Sequence, residues 1–136
     1  KFILRDKNLY FLLNKQGKKI ASLENISEDY RKLIILSGYG VENKILNLLS
    51  IFSKNTEVSK NIIEAKLVSS RRWSLKHSSN ITIDLPTIDP DLAFLKIGEL
   101  QSKYGLLSNM IKKVDLRVAN RMIIQLKSNY SEESNI

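Results

Sequence analysis

The chain has 136 residues, 43% of them hydrophobic and 26% charged, which suits one globular domain with a single core. Because it contains no cysteine, the composition excludes a disulfide framework, a thiolate metal site and a cysteine nucleophile. The formal net charge of +8 would suit a nucleic-acid partner, but the lysines are spread over the whole length without a dense basic block, so charge alone specifies no such site.

The first part of the chain predicts a β-hairpin. The sequence begins at Lys1 and runs directly into strand-like residues, so we expect a segment of a longer protein, and no signal peptide or membrane span is visible in it. The apolar run 9–13 reaches a turn at 14–17, with Asn at its start and Gly at its end, and continues into residues 18–21. Residues 22–39 predict loop or short helix, with one apolar segment entering the core.

A helix and a strand follow. Between Val41 and Lys54, apolar residues recur at the spacing of one helix face, which predicts an amphipathic helix that buries this face. The residues of this face are Ile45, Leu48, Leu49 and Phe52. In the segment 61–68, apolar residues alternate with charged ones, which predicts a strand. The alternating apolar residues are Ile63, Ala65 and Leu67.

Residues 70–86 predict a second hairpin, around which the rest of the domain is organised. Apolar and polar residues alternate on both sides of a short polar turn. A three-residue loop, 78–80, puts every large apolar group on one face, whereas a two-residue loop would scatter them. The predicted pairs are His77 with Ile81, Leu75 with Ile83, and Trp73 with Leu85. Asn80 then occupies the loop position that needs a left-handed backbone, which Asn tolerates.

The remaining residues predict a second helix and a third hairpin. Asp89 can cap free backbone amides, Pro90 suits the first helical position and Gly105 can terminate the helix, so we expect a helix over about 90–104. In the last hairpin as well, a three-residue loop, 119–121, puts the large apolar groups on one face. The predicted pairs are Val118 with Met122, Leu116 with Ile124, and Val114 with Leu126.

These elements predict an α+β fold: an antiparallel or mixed sheet of about seven strands with two helices packed on it. We expect one domain over residues 1–127 and a flexible, polar C-terminal tail over 128–136. The last strand has no following strand to pair with, so we expect it at a sheet edge, where free backbone groups could accept a partner's strand. On the strand pattern alone, such a strand is more often merely an edge, protected here by Arg121 and the polar tail.

No combination of residues predicts catalysis, a cofactor or a metal site. His77 is the only histidine, and a lone histidine on the apolar face of a strand is more often packed than catalytic. Asp84, Asp89 and Asp91 could be drawn as a metal cluster, but helix capping and a polar strand face explain them, and calcium-loop spacing is absent. Trp73 could stack a base or a sugar, yet its phase with the apolar residues indicates the core. We therefore expect a protein that is not an enzyme.

Five short motifs in a fixed order carry a family resemblance. They are Leu13-Asn14-Lys15-Gln16-Gly17, Gly38-Tyr39-Gly40, Arg71-Arg72-Trp73-Ser74-Leu75, Ile81-Thr82-Ile83-Asp84-Leu85-Pro86 and Val114-Asp115-Leu116-Arg117. This set resembles the C-terminal periplasmic β domain of the bacterial cell-division family FtsQ/DivIB, over roughly residues 10–126. One departure is visible, because the family often has Asn-Gly in the central turn and this chain has Ser79-Asn80.

The resemblance implies a noncatalytic scaffold of the division complex on the periplasmic side of the bacterial inner membrane. Family members are single-pass membrane proteins whose periplasmic part recruits the division proteins FtsB and FtsL, with FtsB bound by strand addition at the last strand. In the family a membrane helix and a POTRA domain precede this domain, and the first residues here could be the junction from that POTRA domain. Carried over by position, the partner-binding residues would be Arg71 or Arg72 as a charge anchor and the edge residues Arg117, Val118, Ala119, Asn120, Arg121, Met122, Ile123 and Ile124.

The rival hypothesis is a basic nucleic-acid-binding domain, which the net charge of +8 would suit. Neutralisation of phosphates would make its affinity fall steeply with salt, so a salt titration separates the two hypotheses. An enzyme is the third hypothesis, but the sequence lacks a convergent set of acid, base and nucleophile.

Overall fold

The computed structural model describes residues 1–25 and 27–128, which form nine β-strands in one sheet and three α-helices. The strands are β1 (Phe2–Asp6), β2 (Leu9–Leu13), β3 (Lys19–Leu23), β4 (Ile34–Ser37), β5 (Ile62–Val68), β6 (Arg72–His77), β7 (Ile81–Asp84), β8 (Ile111–Asp115) and β9 (Ile123–Leu126). The helices are α1 (Ile45–Phe52), α2 (Thr56–Ser59) and α3 (Pro90–Tyr104). The predicted α+β class is confirmed, although the described residues form nine strands rather than about seven and three α-helices rather than two.

The sheet is mixed, with the strand order β3-β2-β1-β4-β5-β6-β7-β8-β9. The pairs β1 with β4, β4 with β5, and β7 with β8 are parallel. The other neighbouring pairs are antiparallel. Within the described part of the chain, β3 and β9 are therefore the two edge strands.

The core lies between one face of this sheet and the three helices. Trp73 on β6 is almost fully buried there, and its indole Nε1 donates a hydrogen bond to Asn47 Oδ1 at 2.8 Å. Phe52 on α1 and Phe94 on α3 pack with their ring centroids 5.7 Å apart. Burying one such large side chain stabilises the fold by roughly 1.5–3 kcal/mol, so this helix-covered face holds the domain together.

The central hairpin has the predicted register. His77 pairs with Ile81 and Leu75 with Ile83, and the Leu85 N–H donates to the Trp73 carbonyl at 3.0 Å. Asn80 adopts the predicted left-handed conformation, with φ of 64°. The apolar side chains of both strands consequently face the helices, as the alternation indicated.

The first hairpin is also confirmed, as β2 and β3. Its turn is closed by a hydrogen bond from the Gly17 N–H to the Asn14 carbonyl at 3.0 Å, while the Asn14 side chain accepts from two further backbone N–H groups. The segment 22–39 contains more structure than expected, because residues 34–37 form β4, which lies between β1 and β5 and is parallel to both. The predicted tail, 128–136, lies outside the described residues except for Ser128.

Two predicted faces are wrong in detail. The buried face of α1 is centred on Leu48. Leu49 lies about 100° away around the helix and is exposed, and Ile51 is buried in its place. On β5 the register shifts between Ile62 and Glu64, so Ile62 is buried and Ile63 is exposed. A bulge of this kind interrupts the strict alternation on which the prediction relied.

Helix α3 has the predicted bounds but not the predicted N-terminal cap. Gly105 follows it in a left-handed conformation with φ of 63°, and its N–H donates to the Gln101 carbonyl at 3.0 Å. The Asp89 side chain makes no capping hydrogen bond, because this residue is itself left-handed with φ of 51°. Pro90 occupies the first turn as expected.

Candidate functional site

Strand β9 is the outermost strand on its side of the described sheet and pairs only with β8 there. Its apolar side chains are half exposed, at 49% for Ile123, 42% for Ile124 and 38% for Leu126. The predicted edge position is therefore confirmed. An edge strand with apolar side chains and free backbone groups is a template for strand addition.

The backbone of β9 offers its free donors at alternate residues. The N–H of Lys127, just after the strand, donates inward to the Met110 carbonyl at 2.9 Å. Successive residues of a strand direct their N–H groups to opposite sides, so the N–H groups of Ile123 and Gln125 also point towards β8. Those of Ile124 and Leu126 consequently point away from the sheet, towards an incoming strand.

The predicted register of this hairpin is wrong by two residues. Val114 pairs with Ile124 rather than with Leu126, and the connection between the strands runs over 116–122 instead of 119–121. The β8–β9 pairing ends at Asp115 and Ile123, while the Leu116 N–H still donates to the Asp84 carbonyl of β7 at 2.9 Å. We call residues 116–122 the edge loop.

Arg117 in the edge loop is held by an ion pair. Its Nη2 and Nε donate to the Asp115 carboxylate at 2.7 and 2.9 Å, and its backbone N–H donates to the same carboxylate at 3.0 Å. The side-chain hydrogen bond from Arg117 lowers the pKa of Asp115 to about 2, and the carboxylate in turn raises the pKa of Arg117. Both groups stay charged near neutral pH, so the Arg117–Asp115 ion pair stays intact beside the edge.

Arg72 lies on the sheet face opposite the core, in a second ion cluster. Its Nη1 is 3.9 Å from Asp84 Oδ1, and Lys113 Nζ is 2.9 Å from Asp84 Oδ2. The Asp84 side chain is only 7% exposed. Among the described residues, Arg72 Nη1 is buried without a hydrogen-bond partner, and Lys113 is the cation closer to the Asp84 carboxylate.

The structure separates the predicted site residues into two groups. Residues 117–124 lie together in the edge loop and the start of β9. Arg72 is on β6, three strands inside the edge, which places it about 14 Å from β9. Arg71 is exposed in the turn before β6. Neither arginine adjoins the edge, so a strand added at β9 would not by itself reach them.

The sequence did not predict a cleft that adjoins the edge loop. It has a volume of about 700 Å³ and lies between the edge loop, the N-terminal half of α3 and residues 86–89. Leu92 and Lys96 line it from α3, and Met122 lines it from the loop. In the sequence, the apolar pair Ile88 and Leu92, four residues apart around the start of α3, is the signal that could have indicated this cleft.

His77, considered above as a possible catalytic residue, has a structural role. His77 is buried, which lowers its pKa by desolvation, and its Nδ1 accepts a hydrogen bond from the Ser79 N–H at 3.1 Å. Over residues 1–25 and 27–128, no three acidic or histidine side chains come together as a possible metal-ligand set. None of the described helices combines the length and apolar character needed to cross a membrane.

A match at the level of protein families covers the fold up to the edge loop. The model of the C-terminal domain of cell division protein FtsQ/DivIB matches residues 2–117, which is most of the chain. This chain belongs to the FtsQ/DivIB family. It is thus part of a cell-division protein, as the order of motifs indicated.

Several FtsQ proteins are similar to the chain. FtsQ of Bradyrhizobium diazoefficiens is 27% identical over 101 residues, which are 74% of this chain and 30% of that protein. FtsQ of Novosphingobium aromaticivorans is 24% identical over 133 residues, covering 96% of this chain and 41% of that protein. FtsQ of Rickettsia typhi is 29% identical over 118 residues, covering 87% and 43%. The chain therefore spans less than half the length of these FtsQ relatives.

The major extracytoplasmic domain of DivIB from Geobacillus stearothermophilus is a similar solved structure. The TM-score is 0.46 at 11% identity, with 77% of this chain and 86% of that chain covered. The FtsQ/DivIB family match ends at Arg117, so most of the edge loop and all of β9 lie beyond it. The family match therefore does not extend to the edge strand.

Proposed function

We propose that this domain is a noncatalytic scaffold of the bacterial division complex that binds a partner protein by strand addition at β9. The observation that carries the proposal is the unpaired outer side of β9 within the described sheet, where apolar side chains are half exposed. The Ile124 and Leu126 N–H groups are directed to that side and can donate to a partner's carbonyl groups.

FtsB is the partner that the family membership suggests, with FtsL recruited through it. Arg117 and Arg121 lie beside the edge, so the bound segment should carry acidic residues near the edge loop. Arg71 and Arg72 would contact only a part of the partner that continues past the paired strand, across the end of the sheet. In the full-length protein we place this domain on the periplasmic side of the inner membrane, joined to the membrane by a helix that precedes it.

The test is binding of this chain to a synthetic peptide from the periplasmic end of its own FtsB homologue. Ile124→Pro removes one outward N–H and leaves the N–H groups that bond β8 in place, so the variant should fold and bind at least about tenfold more weakly. Ile124→Ala is the matched control, because it shortens the same side chain but keeps the N–H, so it should weaken binding clearly less than Ile124→Pro does.

Circular dichroism and urea unfolding establish that both variants are folded before affinities are compared. Equal binding of wild type and folded Ile124→Pro would show that strand addition at β9 is wrong. No peptide binding, together with DNA binding that weakens steeply with salt, would instead support the rival nucleic-acid hypothesis.

A further inference from the structure

The cleft beside the edge loop has an apolar lining that is exposed in the described part of the chain. Ile88 is 78% exposed, Leu92 57% and Val118 50%, and all three line the same cleft. Isolated exposed apolar residues are ordinary, but several gathered around one concavity are typical of a recognition surface. Leu116, buried, and Met122, half buried, connect this lining to the core.

The charges around the cleft are predominantly positive. Of the described residues, Lys96, Arg117 and Arg121 line it, together with one carboxylate, that of Asp89. Arg117 is paired with Asp115, whereas no ion pair involves Lys96 or Arg121 within the described ranges. The field at the cleft therefore favours a partner segment that carries acidic residues.

The cleft is continuous with the edge strand. Met122 lines the cleft, and the next residue, Ile123, begins β9. A strand that pairs antiparallel with β9 runs towards Ile123 and leaves the sheet at the edge loop. Its following residues then pass directly over the cleft, within a few residues of the last paired one.

We propose that the cleft receives a large apolar side chain of the same partner, from an acidic segment that directly follows the residues paired with β9. The proposal rests on the proposed strand addition and adds a second recognition element to it, formed by α3 and residues 86–89. Backbone pairing at an edge selects little between sequences, so the cleft would supply the specificity for this partner.

The first experiment measures the affinity of the FtsB-homologue peptide for Leu92→Ala and for Leu46→Ala. Both residues are exposed leucines on helices, but Leu46 lies on α1 and does not line the cleft. Leu92→Ala should weaken binding roughly five- to tenfold, and Leu46→Ala should leave it unchanged. Changing the large apolar residue of the peptide to alanine should weaken its binding to the wild-type domain by a similar factor. The same change should weaken binding to Leu92→Ala only a little further, because the contact is already lost.

The second experiment tests the charge with a matched pair on α3. Lys96→Glu should slow association with the acidic peptide at low salt, whereas Lys103→Glu, which makes the same charge change outside the cleft, should do so much less.

The outcomes separate this proposal from the strand addition on which it rests. If Ile124→Pro abolishes binding while Leu92→Ala and Lys96→Glu bind like wild type, the cleft is not used and strand addition stands. If Leu92→Ala weakens binding while Ile124→Pro does not, the partner docks without strand pairing, which overturns the proposed function and the joint mode of binding.

Discussion

The central hairpin, formed by β6 and β7, and the terminal hairpin, formed by β8 and β9, are built from similar alternating residues but are buried to different extents. Trp73, Leu75 and Ile83 of the central hairpin are almost inaccessible to solvent. In the terminal hairpin β8 buries Val114 against the helices, whereas the β9 side chains stay half exposed. One hairpin is held on both sides by neighbouring strands, and the other ends the described sheet.

This difference separates stability from binding. The central hairpin draws its register from apolar burial, since a slip of one residue would expose Trp73 and its neighbours. The terminal hairpin depends more on polar contacts, in which Asp115 holds Arg117 and the Asp84 carbonyl accepts from Leu116. A strand that the core does not require is free to serve a partner, and paired substitutions test this division.

The largest expected effect is in the core of the central hairpin. Trp73→Ala should lower the free energy of unfolding by about 3–5 kcal/mol, because it leaves a large cavity and removes the hydrogen bond to Asn47. Ile123→Ala on the exposed edge should change it by less than about 1 kcal/mol. Urea unfolding measures both, and similar losses would contradict the proposed division.

Proline substitutions test how much the backbone hydrogen bonds of each hairpin contribute to stability. Thr82→Pro on β7, which is paired on both sides, should cost about 3 kcal/mol or more, because it removes a ladder hydrogen bond inside the sheet. Ile124→Pro on β9 should cost roughly 1 kcal/mol or less, since its N–H points outward. A large loss of stability for Ile124→Pro would show that the outer side of β9 is already paired within the protein.

The buried ion cluster between the two hairpins should have an intermediate effect. Asp84→Asn leaves Arg72 and Lys113 without the carboxylate that they share, and it should lower the free energy of unfolding by about 2 kcal/mol. Glu99→Gln, an exposed carboxylate on α3, is the control and should be nearly neutral. An unchanged stability of Asp84→Asn would mean that this cluster contributes charge to the surface and nothing to the fold.

Much of this architecture could be predicted from local patterns. The central hairpin and the bounds of α3 follow from alternation, from a turn residue that tolerates a left-handed backbone, and from Pro90 and Gly105. Strand β4 could not be predicted in this way, because its four residues show no clear alternation and its parallel partners, β1 and β5, are distant in sequence. Parallel pairing of this kind leaves no local signature.

The candidate site could be predicted only in part, because it too depends on contacts between residues that are distant in sequence. The edge position of β9 follows from its being the last predicted strand, but its register includes a shift between Ile111 and Lys113, which strict alternation does not reveal. Arg72 was expected near the partner, yet it lies three strands inside the edge because β7 and β8 intervene. The cleft required knowing that α3 lies beside the edge loop, which only the tertiary structure provides.

The smallest expected effect is a pH dependence of the terminal hairpin. Arg117 lowers the pKa of Asp115 from its ordinary value of 3.8 to about 2, so the folded state holds this carboxylate ionised more strongly than the unfolded state does. Its stabilising contribution is complete above about pH 4 and is lost as the pH falls towards 2. The contribution should be small, because the Arg117 side chain is substantially exposed and solvent screens the pair.

Urea midpoints of wild type and Asp115→Asn over this pH range measure that contribution. The wild type should be slightly more stable near neutral pH, and the difference should shrink steadily as the pH is lowered below 4. Arg117→Met should reproduce the loss, since it removes the group that lowers the pKa of Asp115. A difference that is independent of pH would show that Asp115 supports the edge loop through hydrogen bonds that asparagine can also accept, and that its charge adds nothing to the hairpin.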